Sequence, residues 1–363
     1  MKQLTIQSSS HAYDVIIGAG LRKKLSQKLG KSYKKILIVT DSKVSSLYLE
    51  DVKAGLPDHE NLSHVIVPAG EASKSMEQYS RLLDKCIEEQ LDRSSLIVGL
   101  GGGMVGDLAG FVASTYLRGV DFLQMPTTIL AHDSSVGGKV AINHEQGKNL
   151  IGSFYSPVQV IYDTDTLRTL PDSEVRSGYG EVVKHALLSD MDWVKEVLSE
   201  DFSELSYSQL GDHLLAGIKV KASIVEEDEK EHGVRRHLNL GHTLAHALES
   251  DLGYGEITHG EAVAIGIFFA MKVSEKVLES TLPVDAYSAW LKTNEYPVEK
   301  LSNLNPERLV NRMKWDKKTI EDRIHFVLLK GVGSPAVVPI PEDDLVNHLK
   351  EFIEEVIQID ERD

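Results

Sequence analysis

The segment Asn239-Leu240-Gly241-His242-Thr243-Leu244-Ala245-His246 carries two histidines four residues apart. His259-Gly260-Glu261 adds a third after a break containing Gly253 and Gly255. Helical spacing projects His242 and His246 from one face. Upstream, Glu181-Val182-Val183-Lys184-His185 sets a carboxylate and an ammonium one helical turn apart. Two imidazoles and a carboxylate, with a fourth position left open, are what a catalytic Zn²⁺ requires. Any one of the fourteen histidines is better read as a satisfied or solvated ring. The set, framed by glycines and accompanied by Glu181, is better read as a metal centre.

A second chemical signal is Gly101-Gly102-Gly103-Met104-Val105-Gly106-Asp107, which follows a strand-like run and leads into an apolar helix over Leu108 to Thr115. Glycines there let backbone N–H groups approach a pyrophosphate. The match to G-x-G-x-x-G is weak by itself and lies too late in the chain for the usual first strand–helix turn. Its neighbours strengthen it. Asp41 ends an earlier strand, Pro68 to Ser75 offers Glu71 and Lys74 at the end of the next, and Pro126-Thr127-Thr128 adds hydroxyls. Polar turns at successive strand ends are the layout of a dinucleotide crevice.

A third signal is cationic. Arg118, Lys139, Lys148, Lys184, Lys221, Arg235 and the Lys317-Lys318 pair lie among glycines and small polar residues in an otherwise acidic chain. Asp133 to Lys139 and Gly147-Lys148-Asn149 read as loops that bring such groups to one ligand. Together they imply an anionic substrate bearing carboxylate and phosphate.

The elements that must hold these groups follow from periodicity. Lys35 to Asp41, His64 to Pro68, Ser95 to Leu100 and Val158 to Asp163 are short apolar runs, and Ser75 to Gln90 has helical spacing. Continuous apolar strands separated by helices indicate a parallel sheet covered on both faces. After Pro171 long amphipathic segments take over: 175–188, 207–230, 240–252, 261–278 and 343–357, with a late strand at 324–329 paired to another near 336–338. The expected organisation is an α/β domain over 1–170 with a mostly parallel sheet, and a mainly α-helical domain over 171–363. The run Glu226 to Glu229 reads as a solvated helix face, with Glu226 and Lys230 at pairing distance.

Composition narrows the function further. Fifty-five acidic residues against 39 basic ones give a formal charge of −16, which disfavours nucleic-acid binding. The single cysteine, Cys86, excludes an intrachain disulfide and a cysteine-rich zinc site. The first residues lack the apolar core of a secretion signal, and the most apolar stretch, Ala262 to Met271, is too short to span a membrane. A cytoplasmic protein with a small-molecule substrate, and no nucleic-acid or membrane partner, is expected.

In this order, the segments Pro68–Ser75, Leu100–Phe111, Pro126–Lys139, Gly147–Asn149, Glu181–Lys184, Leu238–His246 and His259–Glu261 resemble the 3-dehydroquinate synthase family of sugar phosphate cyclases. The resemblance spans roughly residues 35 to 330. It implies an N-terminal NAD-binding domain and a C-terminal metal domain, with Glu181, His242 and His259 as ligands of Zn²⁺ or Co²⁺. His246 becomes a substrate-site residue, although spacing alone would pair it with His242. The resemblance sets NAD against Asp41, Glu71, Lys74, Gly102, Gly103, Asp107, Thr127, Thr128, Lys148, Thr169 and Leu170. It sets substrate against Arg118, Asp133, Lys139, Asn149, Lys184, Lys221, Glu231, Arg235, Asn239, His246 and one of Lys317 or Lys318.

The implied reaction turns 3-deoxy-D-arabino-heptulosonate 7-phosphate into 3-dehydroquinate and phosphate, a step of the shikimate pathway to aromatic amino acids, with NAD recycled and a homodimer as the assembly. Rivals are another cyclase such as 2-deoxy-scyllo-inosose synthase, a metal-dependent alcohol or glycerol dehydrogenase, and a regulatory NAD-binding module. Two departures from the family touch no expected ligand. The loop Ala131-His132 is one residue shorter than in some relatives, and Gly180 stands where alanine is frequent.

Overall fold

Residues 1–56, 61–253, 255–315, 319–320 and 323–360 are described by a computed structural model of the chain. Lys317 and Lys318 lie outside them. In chain order the elements are β1 (Lys2–Gln7), β2 (Ala12–Gly18), β3 (Ile36–Asp41), α1 (Ser42–Ala54), β4 (Leu62–Val67), α2 (Met76–Glu88), β5 (Leu96–Gly101), α3 (Gly103–Thr115), β6 (Asp121–Pro126) and α4 (Ala131–Ser134). Next come β7 (Lys139–His144), β8 (Gly147–Phe154), β9 (Gln159–Asp163), α5 (Asp172–Leu187), α6 (Met191–Leu198), α7 (Tyr207–Glu227), α8 (His242–Leu252) and α9 (His259–Leu278). The chain continues through α10 (Val284–Thr293), α11 (Pro306–Trp315), β10 (Thr319–Ile320), β11 (Arg323–Leu329), β12 (Pro335–Pro341) and α12 (Glu342–Asp360).

The chain forms two compact units, 1–170 with 206–229, and 171–205 with 230–363. In the first, seven strands run in the order β1-β2-β9-β6-β5-β3-β4. Every pairing from β2 to β4 is parallel, and only the β1–β2 hairpin is antiparallel. The period of two is visible in what each residue packs against. Leu37, Val39, Ile97 and Phe122 join one core with α2 and α3, while Ile36, Ile38, Leu96, Val98 and Leu123 join another with α1. Both faces are dry, which is why β3 and β5 read as unbroken apolar runs. In the second unit, helices pack around α9, whose residues 260–271 are all buried, and β10, β11 and β12 form a small antiparallel sheet.

Three readings of the sequence change. First, α3 begins at Gly103, five residues before the expected Leu108, so Gly101 ends β5, Gly102 caps the helix, and Gly103 to Gly106 form its first turn. Second, the expected border at 170 holds for one crossing only. The helix α7 groups with the first unit, because its stripe Leu210, Leu214, Ile218, Ala222 and Val225 is buried and packs on β1, β2 and the turn at 164–169. Third, α7 stops at Glu227, so Glu226 and Lys230 do not share a helix. Glu226 instead accepts from the Gln7 backbone N–H at 2.9 Å, and Glu229 from that of Ser9 at 3.2 Å. These acids tie down the end of β1.

Candidate metal centre and polar turns

Each expected metal ligand has a glycine as its immediate neighbour, and the second unit shows why. A Cβ on Gly260 would lie 1.7 Å from the Ser177 carbonyl oxygen, and one on Gly180 would lie 2.0 Å from the Gly260 carbonyl oxygen. A Cβ on Gly266 would lie 2.1 Å from the Gly241 carbonyl oxygen. Thus α5 and the segment entering α8 both meet α9 backbone to backbone. The contacts draw Glu181, His242 and His259 together. Gly241 also needs its left-handed φ of 81°, which redirects the chain into α8. Gly180 is therefore not a neutral departure: an alanine there has no room unless the helices separate.

The three side chains converge. Glu181 is 2% exposed, and its Oε1 makes no hydrogen bond among the described residues. His242 Nε2 lies 3.4 Å and His259 Nε2 3.8 Å from that oxygen. The His242 Nδ1 is 3.1 Å from the Leu240 carbonyl, which can only accept, so Nδ1 carries the proton and Nε2 a lone pair. His259 Nδ1 faces the Glu249 carboxylate at 3.1 Å and is protonated for the same reason. Three lone-pair atoms turned on one point repel each other unless a cation lies between them. Ligands about 2.0–2.2 Å from a tetrahedral ion stand about 3.4 Å apart. The donor set therefore fits a divalent metal.

Surrounding contacts hold the ligands. Lys184 bonds the other oxygen of Glu181, so this carboxylate presents Oε1 alone. Thr258 and Glu261 form a reciprocal cap at the start of α9, an arrangement contributing about 1 kcal/mol. Arg176 Nε donates to Glu261 Oε1 at 2.7 Å, and Ser177 Oγ accepts from the Gly260 N–H at 3.2 Å. His246, one turn beyond His242, has its ring 5.7 Å from His242 and 6.0 Å from His259. Arg235 and Asn239 share the 3-10 turn just before α8; Arg235 is buried, and Asn239 Nδ2 donates to Glu231 Oε1 at 2.9 Å.

In the first unit, Asp41 ends β3, and Glu71, Gly102, Thr127 and Thr128 follow the carboxyl ends of the neighbouring parallel strands β4, β5 and β6. Asp41 Oδ1 caps α1 through the N–H groups of Lys43 and Val44 at 2.8 and 3.0 Å. Space is short at all three glycines: a Cβ at 101 would lie 2.6 Å from Val105 Cγ2, which forces a shift, and at 102 and 103 it would press on Thr128 Cγ2 or Ser134 Oγ at 3.1 Å. The Thr127 hydroxyl is buried without a partner among the described residues.

Here the charges are already engaged. Lys74 pairs with Asp107, whose carboxyl enclosure pushes above the usual carboxylate range against the pull of Lys74. Lys221 pairs with Asp133 at 2.8 Å. Asn143 donates to Glu71 Oε1 at 2.8 Å and accepts from the Asn149 N–H at 2.9 Å, linking the β7–β8 hairpin and Lys148 to the turn after β4. Thr169 Oγ1 meets Tyr48 OH at 2.6 Å, with Leu170 next in the chain. Lys139 is exposed at the start of β7. Arg118 lies beyond the far end of α3, about 20 Å of helix from the glycine turn. Next to it, a Cβ on Gly119 would lie 3.1 Å from Tyr155 Oη, and the Tyr155 N–H donates to the Gly138 carbonyl beside Lys139 at 2.7 Å.

Sequence reasoning missed Glu249, Asn143 and the Arg176–Ser177 pair. Glu249 had a readable signal, since it stands seven residues after His242 and three after His246 on the same helical face. Asn143 had none.

Comparison with known proteins agrees with this geometry. Residues 64–177 match the family model described as 3-dehydroquinate synthase N-terminal, and 178–319 match 3-dehydroquinate synthase C-terminal. Among similar proteins, the 3-dehydroquinate synthase of Oceanobacillus iheyensis is 51% identical over 98% of this chain and 99% of its own. That of Bacillus pumilus is 49% identical over 97% and 98%. A crystal structure of 2-deoxy-scyllo-inosose synthase complexed with carbaglucose-6-phosphate, NAD⁺ and Co²⁺ superposes with a TM-score of 0.86 at 26% identity, over 96% of this chain and 99% of that one. The chain is an enzyme-fold protein with paired α/β and helical units, and it belongs to the 3-dehydroquinate synthase family.

Proposed function

We propose that the chain converts 3-deoxy-D-arabino-heptulosonate 7-phosphate into 3-dehydroquinate and phosphate, with NAD and a divalent metal as cofactors. The observation that carries this reading is the convergence of Glu181 Oε1 with the Nε2 atoms of His242 and His259. Those residues would hold Zn²⁺ or Co²⁺, and the turns carrying Asp41, Glu71, Lys74, Gly102, Gly103, Asp107, Thr127, Thr128, Lys148, Thr169 and Leu170 would hold NAD. When bound, the metal supplies Lewis acidity at a sugar hydroxyl and the nicotinamide a reversible hydride acceptor.

The remaining work belongs to side chains. Arg235, Lys139, Lys221 and Arg118 neutralise phosphate and carboxylate, so that elimination and ring closure occur in one orientation. Lys184 bonds Glu181 Oε2 and keeps that carboxylate turned. His246, within one ring of both ligand histidines, takes and returns the proton of the sugar hydroxyl, and Asn239, held by Glu231, orients it. Asp133, beside Lys221, and Asn149, on the β7–β8 hairpin, are further polar groups that the substrate would meet. The protein acts as a homodimer in the cytoplasm, as a step of the shikimate pathway. Among the described residues no helix is long and apolar enough to cross a membrane.

One assay tests this. Given the heptulosonate phosphate, trace NAD⁺ and Zn²⁺ or Co²⁺, the protein releases phosphate over many turnovers without net NADH. A chelator stops it and added metal restores it. NADH accumulating in step with product overturns the reading in favour of a dehydrogenase.

A further inference from the structure

We infer that Glu249 is a positioning residue for the metal centre: its carboxylate fixes the tautomer and ring angle of His259, so that Nε2 rather than Nδ1 faces the ion. This rests on the three-ligand site proposed above. Glu249 stands on α8 two turns after His242, its side chain is 6% exposed, and its Oε2 lies 3.1 Å from His259 Nδ1. An ionised carboxylate only accepts, so the proton of the neutral imidazole is held at Nδ1, leaving the Nε2 lone pair on the Glu181 side. His242 is treated the same way by a different acceptor, the Leu240 carbonyl. The two ligand histidines thus differ in how they are held: one by a neutral backbone oxygen, the other by a buried carboxylate.

A competing geometry shares the same atoms. Donor atoms of His246, Glu249 and His259 also lie within 4.8 Å of one another, as those of Glu181, His242 and His259 do. Glu249 could serve there as a ligand of a second ion. One imidazole would then have to give up its Nδ1 proton and bridge two cations. The donated hydrogen bond needs no such step, and it is the arrangement assigned here.

The experiment uses the full-length protein freed of metal, Co²⁺ as the probe, chelator competition for affinity, and visible absorption for the ligand set. The parent protein binds one Co²⁺ per chain, and Glu181→Gln abolishes that binding. Glu249→Ala weakens it by about ten- to a hundredfold, with one ion per chain and unchanged band positions. Glu249→Gln, whose amide oxygen still accepts from Nδ1 without charge, falls between the two and decides the matter if the alanine variant fails to fold. Unchanged affinity in the variants overturns the assignment. So does a second Co²⁺ in the parent that disappears with Glu249, or a shift of the bands. A parent protein that binds no Co²⁺, or a Glu181→Gln variant that binds it normally, brings down the metal site itself, and the role of Glu249 with it.

Discussion

The two units handle their polar groups in opposite ways. In the helical unit the ligands are held in a poised, mutually repelling set, and backbone contacts through Gly180, Gly241, Gly260 and Gly266 leave the set little freedom to relax. In the α/β unit Lys74 and Lys221 are paired with Asp107 and Asp133, and Glu71 accepts a hydrogen bond from Asn143, so that a ligand there must exchange one partner for another. A resident ion rewards rigidity, since a small misplacement of its ligands costs affinity. Ligands that come and go are better served by surfaces that are satisfied when empty.

The largest effect that would break this contrast is steric. Gly260→Ala sets a methyl 1.7 Å from the Ser177 carbonyl oxygen, so it should cost about 3 kcal/mol or more and abolish Co²⁺ binding. Urea unfolding and Co²⁺ titration check it, and a tolerated alanine would show that the helices are not held so closely. Next, Glu181→Gln or His259→Ala should strip the metal and stop phosphate release while the circular dichroism spectrum and cooperative melt persist. Turnover by a metal-free variant would refute the ligand set. Smaller again is the Asp133–Lys221 pair in the other unit. A double-mutant cycle of Asp133→Asn with Lys221→Met should give a coupling of about 0.5–3 kcal/mol, and a value near zero would mean the charges are not mutually satisfied. The smallest concerns Cys86, whose thiol burial pushes up to about 12. At pH 8 it is protonated and enclosed, so a thiol reagent should not label it until the protein unfolds.

Much of this was legible in the sequence, for identifiable reasons. The strands β3, β5 and β9 are buried on both sides, which leaves a continuous apolar signature, and β11 with β12 stood out in a polar neighbourhood. By contrast β1, β2, β7 and β8 were invisible: a strand such as Gly147–Phe154 is half exposed and mixes Lys148 and Asn149 with Ile151 and Phe154. The periodicity of α7 announced a buried face but not which unit would cover it. At the candidate metal centre, residue types pointed to the chemistry, whereas the tautomers of His242 and His259 depend on Leu240 and Glu249 and emerge only in three dimensions. The role of Gly180 was underestimated for a related reason: the packing demand of a glycine belongs to its neighbour across the helix crossing.

The placement of α7 bears on how the chain is made. Because 206–229 completes the sheet unit after 171–205 has been committed elsewhere, the polypeptide passes between units three times. A ribosome that has released the first 170 residues has therefore delivered an unfinished sheet, with the surface of β1 and β2 waiting for a helix still to be translated. Ending a fragment at residue 170, the natural cut by sequence, should yield a sticky and poorly soluble product, and a stable excised half must carry residues 206–229 grafted back on.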